Sequence, residues 1–71
     1  MKFYFVVTDQ IEKNALFSVS DPYDNAEEAS NAAEIEWRSL TDSEKSYTHI
    51  VATSDLEGYS DIVWDSLDED I

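Results

Sequence analysis

The chain of 71 residues has no cysteine, one glycine, one proline and only four basic side chains. Without cysteine it has no disulfide, no thiolate nucleophile and no thiolate zinc site. Its N-terminal apolar run, residues 3–7, is too short for a signal peptide and far too short to span a bilayer. These absences predict a single cytoplasmic domain outside any oxidising compartment.

Acidic residues are the compositional extreme: 17 against four basic ones, for a net charge of −13. Such a chain is a poor direct ligand for nucleic acid or anionic membrane, because binding phosphate requires lysine and arginine. It is nevertheless 42% hydrophobic and 13% aromatic, unlike disordered acidic tails. The composition therefore predicts a folded domain whose partner, if charge matters, is a basic protein.

Two strands are predicted before the first breaker. Residues 2–8, KFYFVVT, are β-branched and aromatic, and their alternation puts Tyr4 and Val6 on a second apolar face. That face indicates a central strand or a contact with a partner. Residues 15–20, ALFSVS, predict the second strand of a hairpin. The residues expected on the core face are Phe3, Phe5, Val7, Phe17 and Val19.

A helix is predicted over residues 25–40, after the breaker SDPYDN. Asp24 is the expected N-cap, and Glu27 would complete a capping box. An apolar stripe at helical spacing is expected to face a sheet: Ala26, Ala29, Ala33, Trp37 and Leu40. The outer side would carry Glu27, Glu28, Glu34 and Ile35.

Further elements follow the helix. TDSE at residues 41–44 is a second capping box and predicts a short helical turn. Residues 47–53 and 60–67 predict two more strands around a turn at Gly58. The order strand–strand–helix–strand–strand predicts an α+β fold, a four-stranded antiparallel sheet with one helix packed on one face. Residues 1–67 would form this single domain, and residues 68–71 an acidic C-terminal tail.

The stretch DNAEEASNAAEIEWRSLTDSEK, about a third of the chain, resembles small acidic proteins of Gram-positive bacteria and their phages or integrative elements. In those proteins an acidic, alanine-rich helix ends in the pattern W-x-x-L-T-x-x-E-K. The matching positions here are Trp37, Leu40, Thr41, Glu44 and Lys45. The resemblance implies a mobile-element origin and carries no activity. By size and charge the chain also looks like phage-encoded DNA mimics, such as anti-restriction and anti-CRISPR inhibitors.

Catalytic and metal chemistry finds little support in the sequence. His49 is the only histidine, lies mid-strand, and is interpreted as a strand-face residue rather than a base or ligand. The serines lie in polar turns without a nucleophile elbow. Residues 55–61, DLEGYSD, group three acids around a glycine, but glycine is fourth rather than sixth, unlike an EF-hand loop. We therefore predict a protein that is not an enzyme and has no metal or cofactor.

The carboxylates at the C-terminal end are the main candidate site. After Lys45 the chain has no lysine or arginine. Asp61 and Asp65 on one strand face would stand about 13 Å apart. Such a row could occupy a basic groove built for a nucleic-acid backbone. The expected partner-binding residues are Asp55, Glu57, Asp61, Asp65, Asp68, Glu69 and Asp70, with Glu27, Glu28, Glu34 and Ile35 on the helix.

Two other interpretations remain open. In the first, the acids serve solubility alone, as solvated faces of a small domain. Alternatively, Tyr4, Val6, Ile35 and Tyr59 could be exposed apolar anchors of a small adaptor, or Tyr4 and Val6 could form a homodimer contact. Binding through apolar anchors predicts little dependence on salt, whereas occupation of a nucleic-acid groove predicts strong dependence.

Overall fold

A computed structural model describes residues 1–10 and 16–68 of the chain. The described chain folds as one antiparallel sheet with strand order β2-β1-β3-β4 and one main helix packed against it. The predicted α+β fold is confirmed. The elements are β1 (Tyr4–Asp9), β2 (Leu16–Val19), α1 (Ala26–Ser39), α2 (Asp42–Lys45), β3 (Thr48–Thr53), β4 (Ile62–Asp65) and a 3₁₀ turn (Ser66–Asp68).

Helix α1 begins one residue later than the sequence pattern predicts. Asn25 is extended, and its side-chain oxygen accepts the N–H of Glu28 at 2.8 Å, so Asn25 is the N-cap and Asp24 is not. Asp24 instead forms an ion pair with Lys2. The second capping box is confirmed, because Thr41 accepts the Glu44 N–H and the Glu44 side chain accepts the Thr41 N–H.

One face of the sheet lies under α1, and we call it the helix-covered face. Ala29 and Ala33 of the helix are fully buried, and their small side chains let the helix backbone approach the strands. Beneath them lie Val7 of β1 and Ile50 of β3, both in the core cluster. Half-buried residues pack around this cluster: Phe3, Phe5, Tyr23, Trp37, Leu40 and Trp64. The apolar stripe predicted for the helix and the core face predicted for β1 are thus confirmed.

The opposite face of the sheet, here called the pocket face, carries the alternate residues of the same strands. Val6 of β1 lies beside Val51 of β3, which in turn pairs with Asp65 of β4. Val6 is only 1% exposed, so the expectation that it lies off the core is wrong. Val19 and Val51 flank it within the sheet on either side.

Edge strand β2 departs from its predicted orientation. Phe17 and Val19 were expected in the core, but every residue of β2 is exposed. Val19 pairs with Val6 and therefore belongs to the pocket face. The pairing of β1 with β2 shifts register between Val7 and Thr8. This shift interrupts the alternation of the two sheet faces around Phe17.

The last strand is shorter than residues 60–67. Asp61 precedes β4 with a positive φ of 53°, so the chain is still turning there. After Asp65 the chain enters the 3₁₀ turn, where the buried Ser66 hydroxyl accepts the N–H of Ile50 at 3.0 Å. This side-chain bond takes the place of a ladder bond and ends the strand.

Candidate binding site: a pocket and the carboxylates around it

The loop between β3 and β4 is organised by the carboxylate of Asp55. Its Oδ1 accepts the N–H groups of Glu57 and Gly58, both at 3.0 Å, and its Oδ2 accepts the Ser60 hydroxyl at 2.7 Å. The bonds from Gly58, Ser60 and Glu57 lower the pKa of the Asp55 carboxyl. A Cβ on Gly58 would lie 3.0 Å from Oδ2, so a side chain there would require the Asp55 carboxylate to shift slightly. Asp55 thus holds the loop together.

Two residues of this loop adopt a left-handed backbone. Tyr59 and Asp61 both have a φ of 53°, a region that bulky side chains rarely enter. The Tyr59 N–H donates to the Asp55 carbonyl at 3.0 Å, and the Ser54 hydroxyl lies 3.3 Å from Asp61 Oδ2. The surrounding hydrogen bonds therefore hold both residues in this conformation.

His49 and Asp65 meet on the pocket face. The Nε2 of His49 lies 2.7 Å from Asp65 Oδ1, and the two side chains are only 25% and 22% exposed. The same oxygen of Asp65 accepts the Leu67 N–H at 3.0 Å. Sequence reasoning missed this pair, since it depends on the register that sets Val51 against Asp65. Alternation did indicate that both residues lie on strands, but not that their strands are neighbours.

A cavity of about 250 Å³ opens on this face beside His49. Val6 and Val51 of the sheet line it, and Leu67 and Tyr59 contribute further apolar surface from the segments flanking β4. Its polar lining comes from the end of β1 and from β3: Thr8, Asp9, Gln10 and His49. The amide nitrogen of Gln10 donates to the Thr48 carbonyl at 3.1 Å, which fixes that side chain. The pocket is thus mainly apolar and is lined by one carboxylate and no lysine or arginine among the described residues.

The carboxylates predicted to bind a partner fall into two groups. Asp55 and Asp65 are half-buried and hydrogen-bonded within the fold. Exposed carboxylates lie on the β3–β4 loop, the 3₁₀ turn and the first turn of α1: Glu57, Asp61, Asp68, Glu27 and Glu28. Because Asp61 precedes β4 and Asp65 turns to His49, these two do not form the expected row along one strand. Glu69 and Asp70 lie outside the described residues.

The remaining predicted positions lie on the outer side of α1. Glu34 is half-buried and forms an ion pair with Arg38, with 2.6 Å between Oε2 and the guanidinium. Ile35 is exposed, as predicted. Ile35 therefore stays a candidate contact, although a single exposed apolar residue is common on protein surfaces.

All three described basic side chains are engaged by groups of the chain itself. Lys2 contacts Asp24, and their hydrogen bond raises the pKa of Lys2 and lowers that of Asp24. Arg38 pairs with Glu34, and the ammonium of Lys45 lies 5.5 Å from the centre of the Trp37 ring. Within the described part of the chain, Glu57, Asp61 and Asp68 have no lysine or arginine beside them. The carboxylates around the β3–β4 loop are therefore uncompensated, and they lie among exposed apolar side chains such as Leu56 and Ile62.

The chemistry that these groups could support is narrow. A histidine oriented by a carboxylate is part of a general-base arrangement, but no hydroxyl of residues 1–10 or 16–68 bonds to the His49 ring. The nearby Thr8 hydroxyl donates to the His49 carbonyl at 3.2 Å instead. In the same ranges, no three acidic or histidine side chains converge as a metal site would require.

Comparison with known proteins yields no relative: no family model, curated protein or solved structure matches this chain. Among the described helices, none combines the length and apolar character needed to cross a membrane.

Proposed function

We propose that this protein is a non-enzymatic acidic binding protein that occupies the basic, nucleic-acid-binding surface of a partner protein. The observation that carries the proposal is the imbalance of charge on the folded surface. The net charge is −13, and each described cation is already engaged within the chain. The carboxylates that face solvent around the β3–β4 loop are therefore uncompensated, and they complement a surface evolved to bind phosphate.

The fold also carries these charged side chains on a hydrogen-bonded backbone. The β3–β4 loop is braced by three hydrogen bonds to one carboxylate, so Glu57 and Asp61 project from an ordered backbone. Ordered charges lose less conformational entropy on binding than charges on a flexible tail. The most specific form of the proposal is a phage or mobile-element inhibitor of a defence protein, such as an anti-CRISPR or anti-restriction protein, occupying the DNA-binding groove as a mimic.

The test begins with capture of a partner from bacterial lysate, followed by measurement of its affinity with purified proteins. We expect the affinity to fall steeply as salt is raised and duplex DNA to displace the captured protein. The triple variant Glu57→Gln, Asp61→Asn, Asp68→Asn should weaken binding about tenfold or more, equivalent to about 1.4 kcal/mol. These residues are chosen because they are exposed, whereas Asp55 and Asp65 also hold the fold.

The matched control removes the same charge elsewhere: Asp21→Asn, Glu36→Gln and Asp42→Asn. If mimicry acts through the β3–β4 loop, this control variant should bind much more tightly than the first. Equal affinity for both triple variants would exclude the loop as the contact. Binding that withstands both salt and DNA would overturn the proposal and favour an adaptor.

A second candidate, an adaptor or homodimeric structural protein, is favoured by the exposed apolar side chains, among them Ile35 on α1 and Phe17 on edge strand β2. Val6 contributes to that candidate only from inside the pocket, since it is buried in the monomer. Loss of partner binding on Ile35→Ser, with salt dependence absent, would support it.

A further inference from the structure

The residues that line the pocket beside His49 indicate which kind of chemical group fits it. Its apolar residues, Val6, Val51 and Leu67, match a hydrocarbon chain rather than a polar headgroup. Its polar groups are those of Thr8, Asp9, Gln10 and His49. No lysine or arginine of the described chain lines it, so the charge that its surroundings attract is positive.

We infer that this pocket receives an arginine side chain of the basic partner, an inference that rests on the proposed function. Proteins that bind nucleic acid present arginines to phosphates and base edges, so a surface occupying their groove meets such side chains. A cavity of about 250 Å³ is large enough for a single long side chain. The pocket would anchor one arginine while the surrounding carboxylates attract the rest of the basic surface.

The two ends of arginine find different partners here. The methylene groups pack on the valines of the sheet and on Leu67, which keeps their burial favourable. The guanidinium carries five donors in a planar fork, and the side-chain oxygens of Thr8 and Gln10 are acceptors on the lining.

Tyr59 provides a second, independent observation. Its left-handed backbone is an unfavourable conformation for a tyrosine, yet the Asp55-centred loop holds it there and its side chain lines the pocket. A tyrosine ring attracts a guanidinium both by stacking and by its negative face. The strained residue thus places an aromatic surface where the cation would lie.

The first experiment uses acetyl-arginine N-methylamide as the probe and acetyl-citrulline N-methylamide as its neutral isostere. Titrated into ¹⁵N-labelled protein, the arginine probe should shift the amides of Val6, Val51 and Leu67, with a dissociation constant on the order of 1 mM. The citrulline probe should bind at least about tenfold more weakly, because it keeps the shape and loses the charge. Equal binding of both probes, or shifts confined to the exposed acids, would overturn the inference.

The second experiment removes the aromatic wall. Tyr59→Asn keeps a residue that tolerates positive φ, so the loop should still fold. The control Tyr47→Asn changes a tyrosine of similar exposure, 40% against 37%, that does not line the pocket. We expect arginine binding to weaken about fivefold or more for Tyr59→Asn and to stay unchanged for Tyr47→Asn. Unchanged binding in both variants would contradict the assigned role of Tyr59.

These tests separate the pocket from the proposed function. The triple variant Glu57→Gln, Asp61→Asn, Asp68→Asn leaves the lining intact, so it should retain arginine binding even as it loses the partner. If arginine fails to bind while the partner remains sensitive to salt and DNA, only the pocket inference fails. If arginine binds and partner affinity is insensitive to both, the pocket stands and the mimicry does not.

Discussion

The helix-covered face and the pocket face belong to the same strands, but a helix packs against the first and a cavity adjoins the second. On the first, Ala29 and Ala33 bring a helix close, and Ile50 is fully buried beneath it. On the second, Val6 and Val51 are nearly as buried, yet a cavity of about 250 Å³ adjoins them. Burial alone therefore does not distinguish a core from a site; the space beside the buried residue does.

The polar groups differ in the same way. Hydroxyl and amide groups on the pocket face are fixed by bonds to the backbone, such as Gln10 to Thr48 and Thr8 to His49. The residues packed together on the other face are almost all apolar or aromatic. A buried polar group needs a partner to be tolerated, and these side chains find theirs in the backbone carbonyls of β3.

The largest expected effect is a loss of stability when two neighbouring residues of β3, which lie on opposite faces of the sheet, are truncated to alanine. Ile50→Ala should destabilise the fold by about 2–5 kcal/mol, because it leaves a cavity under the helix. Val51→Ala should cost about 1.5 kcal/mol, the transfer term alone, since its site already adjoins a cavity. Urea unfolding followed by the fluorescence of Trp37 and Trp64 would measure both. Equal losses would mean that the pocket face is packed as tightly as the core.

A smaller effect comes from adding volume to each face. Ala33→Leu should destabilise by about 1–3 kcal/mol, because it pushes α1 away from the sheet. Val51→Ile adds one methylene toward open space and should change stability by less than about 1 kcal/mol. Thermal unfolding of the two variants would measure the contrast. A large loss for Val51→Ile would show that the cavity is not available to a side chain.

The helix-covered face could be predicted from sequence because its signals are local. Alanine spacing on the helix and alternation in β1 each identify buried positions within one element. The N-cap was misplaced by one residue since Asp24 and Asn25 are both good caps, and the choice depends on which side chain reaches the Glu28 N–H. Such errors stay within one turn.

The pocket face could not be predicted, because its signals are not local. His49 meets Asp65 only through the pairing of β3 with β4, which contains a register shift at Ala52. Tyr59 reaches the pocket only through a positive φ that no sequence rule assigns to tyrosine. Sequence alternation predicted Asp61 on the strand, yet the same loop geometry places it before β4.

The smallest expected effect concerns the loop that carries Tyr59 and depends on pH. Hydrogen bonds lower the folded pKa of Asp55 below its unfolded value of about 3.9. Their contribution is therefore present in full above that value and is lost as the pH falls through the folded pKa. Asp55→Asn should thus melt a few degrees below wild type at pH 7, and this difference in melting temperature should shrink as the pH falls below the unfolded pKa and through the lower folded one.

Melting followed by circular dichroism across this range would test the loop, with Glu57→Gln as the control because no described hydrogen bond involves its side chain. The difference between variant and wild type is the relevant quantity, since protonation also relieves repulsion throughout a chain of net charge −13. If the difference in melting temperature persists at the lowest pH, the loss of stability in Asp55→Asn comes from geometry rather than from charge. In that case Asp55 would position Tyr59 by shape alone, and arginine binding should weaken in Asp55→Asn at every pH.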